Sequence, residues 1–97
     1  MLQEVKDYLK ITWDDEDDSL EKIINRGKKY LNGKAGVKLD FEEDSEETGL
    51  LLDYCRYAYN HSLEMFSHNF SNDLLNLALR EGVKAREDAK KAAEANT

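Results

Sequence analysis

The chain has 97 residues, a net charge of −7 and 36% charged side chains. That length gives one domain with a limited core, and the acidic balance excludes tight binding of duplex nucleic acid, which requires clustered Lys and Arg. A single cysteine cannot form an internal disulfide and fits a reducing cytosol, and the absence of proline removes the strongest helix breaker.

At the N-terminal end, Leu2, Val5 and Leu9 recur at helical spacing with Tyr8 beside them, predicting a short amphipathic helix that ends near Ile11. Charged residues alternate with apolar ones through Lys10, so this stretch reads neither as a signal peptide nor as a membrane span. A helix this short is marginal alone and must dock on the rest.

Thr12 to Asp15 has the form of a capping box, with Thr12 as N-cap and an acid three places later. Asp14 to Asp18 then fill the first turns of a second helix, where the helix dipole favours negative charge. Leu20, Ile23, Ile24, Gly27 and Leu31 form its buried stripe. Gly27 on that stripe costs about 1 kcal/mol of helix propensity relative to Ala, which predicts close approach of another helix backbone. Gly33 and Gly36 end the helix. Val37, Leu39 and Phe41 follow as loop anchors, and six acids crowd into Asp40 to Glu47. Asp44 or Ser45 caps the next helix.

Gly49 to Phe70 carries the cysteine, both histidines and most of the large aromatic residues. Leu51, Cys55, Ala58, Ser62 and Phe66 fall on one helical face, predicting a long central helix on which everything else packs. Ser71-Asn72-Asp73 caps a further helix through Leu74, Leu75, Ala78 and Leu79, stopped at Gly82; the alternation of Leu75, Leu77 and Leu79 also permits a short strand. Residues 84–97, rich in Ala, Lys and Glu, form a flexible or partly helical charged tail with little to bury. The fold class is therefore all-α: a bundle of about four helices over residues 1–83 with a long, aromatic-rich central helix and a frayed tail.

No arrangement for catalysis emerges. Asp14 to Asp18 lacks the alternating acids, central glycine and distal Glu of a calcium loop. His61 and His68 stand two turns apart and cannot share one small ion on a straight helix, and Cys55 on an apolar face reads as a small core residue. Phosphate loops, serine elbows and paired zinc motifs are missing. The chain reads as a non-enzyme with neither metal nor cofactor. Trp13 is either a core plug over the first interhelical loop or an exposed contact, and the need to pin the first helix favours the core. Tyr54 and Tyr57 point partly off the apolar line, a sign of self-association.

Three pieces together resemble a known family: Leu2 to Asp14 with its Tyr8-Leu9-Lys10-Ile11-Thr12-Trp13 run, the acidic helix start Asp15 to Leu20 leading into Ile23–Leu31, and the aromatic stretch Leu50 to Phe66 followed by Asn69-Phe70 and Leu74 to Val83. The chain is similar, over residues 2–83, to the small head-tail connector proteins of tailed phages and prophages, also called head-completion, neck adaptor or DNA-packaging proteins. The resemblance implies an all-helical structural subunit that forms a ring of about a dozen copies beneath the portal. Its partners would be itself, the portal protein and downstream neck or tail proteins, with DNA passing through unbound and no membrane involved. It would sit at the head-tail junction of the virion, after assembly in the bacterial cytoplasm. Expected interface residues are Trp13, Asp14, Asp15, Asp17 and Asp18 toward one neighbour and Tyr54, Arg56 and Tyr57 toward another. The tail after Val83 has no counterpart in the shared pattern. A small acidic regulator, monomeric or dimeric and occupying a basic site on another protein, is the alternative.

Overall fold

Five α-helices account for most of the chain in the computed structural model, which describes residues 1–95. They are α1 (Leu2–Leu9), α2 (Asp17–Ala35), α3 (Glu46–Tyr59), α4 (Phe66–Asn69, preceded by a 3₁₀ turn at Leu63–Met65) and α5 (Ser71–Ala95). Among the described residues there is no strand, so the all-α class holds and the Leu75–Leu79 segment is helical. Asn96 and Thr97, the end of the expected tail, lie outside the described residues.

The hub is α2. It packs against α1, α3 and α5, with Leu20, Ile24, Leu31 and Ala35 buried along its length. Gly27 sits where α3 crosses: a Cβ there would lie 2.6 Å from Leu51 Cδ1 and 2.8 Å from Tyr54 Cδ1. The close approach expected at Gly27 is real, but side chains of α3 fill the space, not its backbone. From the other side, Val5 of α1, Leu50, Leu51, Tyr54 and Cys55 of α3, Phe66, and Leu74 and Leu77 of α5 complete one continuous core.

The aromatic stretch is not one helix. It breaks after Tyr59, where the Ser62 amide donates to Tyr57 O and the His61 amide to Ala58 O, with His61 at φ 57°. This is a Schellman-type stop with a histidine in the left-handed position usually held by glycine. Asn60 Nδ2 also donates to Arg56 O, and Ser62 Oγ to Tyr57 O, so neighbouring polar side chains help satisfy the open carbonyls. The same device, with Lys10 at φ 60°, ends α1. The break at His61 turns Phe66 inward, where it is 1% exposed and meets the rings of Tyr30, Tyr54, Tyr57 and Phe70 at centroid distances of 4.9 to 5.8 Å.

Ser45 caps α3, its Oγ accepting from the Thr48 amide at 3.2 Å, with Glu46 and Glu47 in the first turn. Gly36, at φ 74°, terminates α2. Leu39 is buried and Phe41 partly so, anchoring the loop between α2 and α3; Val37 is exposed. The capping box at Thr12 does not form, and α2 starts only at Asp17, with Glu16 in the N-cap position and no side-chain cap. Nor does Gly82 stop α5, which runs on unbroken through the start of the expected tail to Ala95. Its 25 residues span about 38 Å, and from Gly82 to Glu94 every side chain is exposed. The molecule is accordingly long, 57 × 25 × 19 Å.

Candidate interaction surfaces

The corner where α1 leads into α2 is built around Lys6. Only 5% exposed, Lys6 donates to Asp14 at 2.6 Å and lies 2.9 Å from Asp17 Oδ1, which has no hydrogen-bond partner of its own. Asp14, then Asp17, raises the Lys6 ammonium above its ordinary value against an opposing effect of burial. The pairing draws the Thr12–Glu16 segment back over α1, which is why those residues form a turn and not a helix start.

Trp13 projects from that turn. It is 46% exposed, so the expectation that it plugs the core fails. Its indole N–H donates to Glu16 Oε2 at 3.1 Å, and the same oxygen accepts from the Tyr59 hydroxyl at 2.7 Å. Glu16 thus fixes an exposed ring against the end of α3. Asp15 and Asp18 beside it are exposed, and Asp14 keeps most of its side chain in solvent while bound to Lys6. Trp13, Asp14, Asp15 and Asp18 therefore share one accessible corner, with Asp17 partly buried behind them.

The second expected group divides. Tyr54 is 5% exposed and belongs to the core. Tyr57 is partly buried against Phe66 and Phe70, and its hydroxyl accepts from Asn69 Nδ2. Arg56 is exposed, with its guanidinium carbon 5.1 Å from the Tyr57 ring centre and a 3.3 Å contact to Asp53, which also accepts from the Tyr8 hydroxyl at 2.6 Å.

A surface absent from the sequence reading lies on α5. Leu75, Leu79 and Val83 are 57%, 58% and 53% exposed and stand one turn apart along the side of α5 turned from the core, which takes Leu74, Leu77 and Glu81. The signal for it was a helix carrying large apolar residues on both faces. At the root of the exposed half of α5, Arg80 reaches Glu47 at 2.8 Å, Glu81 at 3.0 Å and Glu46 at 3.4 Å. This ties α5 to the first residues of α3. The cleft between α5 and the loop at Lys38–Glu42 is lined by Glu47, Arg80 and Glu81 of these pairs and by Lys38, Asp40, Glu42 and Lys84. Among the described residues no cluster of His, Cys, Asp and Glu is arranged to hold a metal ion, and no helix is long and apolar enough to cross a membrane.

A family model described as phage gp6-like head-tail connector protein matches residues 1–94. Searches of curated proteins and of solved structures returned no match. The match spans all five helices, including the exposed half of α5 that the residue-by-residue resemblance left out. The chain belongs to the phage gp6-like head-tail connector family, and its role is that of a structural connector.

Proposed function

We propose that the chain is a ring subunit of the head-tail junction, about a dozen copies closing beneath the portal to extend the DNA channel and dock the next neck or tail protein. The match to a connector family over nearly the whole chain carries this reading. Residues 1–83 act as the connector body and residues 84–97 as a charged tail. Trp13 with Asp14, Asp15, Asp17 and Asp18 contributes to one subunit contact, and Arg56 with the edge of Tyr57 to another; Tyr54 supports the latter from inside. A net charge of −7 suits a conduit that DNA traverses without sticking, because like charge keeps phosphates from settling on the wall. The proposed site of action is the virion, with assembly in the bacterial cytoplasm, and the family's structural role leaves no reaction to assign.

Light scattering of the full chain, alone and with its cognate portal protein, tests the reading. A closed species of about a dozen subunits, free or seated on the portal, is expected. A chain that stays monomeric in both conditions and does not bind the portal contradicts it.

A further inference from the structure

We propose that the outer face of α5, formed by Leu75, Leu79 and Val83 and then Arg86 and Lys90, docks the Trp13 corner of a second copy of this chain, head to tail. The inference rests on the ring reading above and names the surfaces that would close the ring.

At 100° per residue these five positions stay within an arc of about 80°, opposite the buried Leu74, Leu77 and Glu81. Three aliphatic side chains more than half exposed on one arc form a contiguous apolar patch, which marks a contact surface more often than a solvent face.

No acid falls within that arc, although acids outnumber bases 21 to 14 in the chain. The stripe therefore ends in two positive charges on a negative molecule. Its complement must present an apolar group beside carboxylates. Among the exposed large hydrophobic residues, Trp13 is the one set in a run of acids, with Asp15 and Asp18 exposed beside it. A tryptophan can lie over the aliphatic stripe and against the Arg86 guanidinium, while Asp15 and Asp18 face Arg86 and Lys90.

Glu16 ties the Trp13 corner to Tyr59, the last residue of α3, whereas Arg80 ties α5 to Glu46 and Glu47, the first residues of α3. The Trp13 corner thus lies by the end of α3 and the Val83–Lys90 half of the stripe beyond its start, so one chain cannot bring Asp15 and Asp18 to its own Arg86 and Lys90. Two copies joined this way leave one stripe and one corner open, and the contact propagates until rotation closes it.

The sole tryptophan reports on the contact directly. Mass and Trp13 emission of the full chain are followed together from micromolar to millimolar concentration. Mass should rise as the emission shifts to the blue, and the pair Arg86→Glu with Lys90→Glu, in the fully exposed part of α5, should weaken association about tenfold or more. Asp15→Lys with Asp18→Lys should do the same, and mixing the two variants should restore both signals. Circular dichroism confirms that each variant keeps its helices. Should mass rise with Trp13 emission unchanged, or the Arg86/Lys90 variant assemble like the wild type, the inference is overturned while the ring reading stands. A chain that remains monomeric throughout, mixture included, overturns both this contact and unaided ring closure.

Discussion

The Tyr59 hydroxyl donates a 2.7 Å hydrogen bond to Glu16, joining the last residue of α3 to the residue just before α2. The same carboxylate oxygen takes the Trp13 indole N–H, so the orientation of the exposed tryptophan depends on a tyrosine far away in sequence. Tyr59→Phe should leave the helix content unchanged but free the ring, lowering Trp13 fluorescence anisotropy and shifting its emission to the red. The Glu16 hydrogen bond holds the Tyr59 hydroxyl above its ordinary value of 10.0. A raised value means the link is intact below pH 10 and is lost as pH climbs through the raised value. The anisotropy of the wild type should therefore fall in that alkaline range and not before.

Gly27 tests the crossing of α2 and α3. The methyl of Gly27→Ala would press on Leu51 and on the Tyr54 ring, both buried, at distances that force one to move. Overpacking of this kind costs about 1–3 kcal/mol, and the better helix propensity of Ala returns about 1 kcal/mol. Net destabilisation of up to about 2 kcal/mol is expected in urea unfolding. An unchanged midpoint would show that the crossing yields freely.

Glu47 anchors the root of the exposed half of α5. Burial pushes its carboxyl up, but hydrogen bonds from Ser45 and its own amide, together with Arg80, outweigh that and hold it below its ordinary value of 4.5. Because the folded value is the lower one, the stabilisation is present above pH 4.5 and is lost as pH falls through the depressed value. Glu47→Gln should be less stable than the wild type near neutrality, with the difference closing in acid. A gap that persists at low pH would mean that packing, not charge, is responsible.

Much of the fold was legible because its causes are local. Ser45 followed by Glu46 and Glu47 is a cap that needs no tertiary partner to be recognised, and the α2 stripe with its glycine already implied a tight crossing. Most of the misses trace to a distant partner or to an atypical residue. His61 and Lys10 stop helices from a backbone region usually marked by glycine, so the end of α3 carried no conventional punctuation. Trp13 read as core because the first helix had to be pinned, but buried Lys6 does the pinning through Asp14 and Asp17. Gly82 read as a stop, yet an exposed glycine within a strongly helical run costs only about 1 kcal/mol. The outer face of α5 was hidden because Leu74, Leu75, Ala78 and Leu79 read as one helix without being divided between its two faces.

Cys55 should be silent in the folded chain. It is fully buried, and burial pushes its thiol up to about 12. At pH 8 a thiol reagent should label it only at the rate of unfolding, giving full labelling in denaturant and almost none without. Rapid labelling of the native chain would show that the core around Leu51 and Phe66 opens readily.

The most direct test of the connector role is made in phage-infected cells. A phage that encodes this chain, deprived of it, should yield separate heads and tails under the electron microscope, and adding the purified chain to that lysate should join them. Joined, infectious particles formed in its absence would contradict the account.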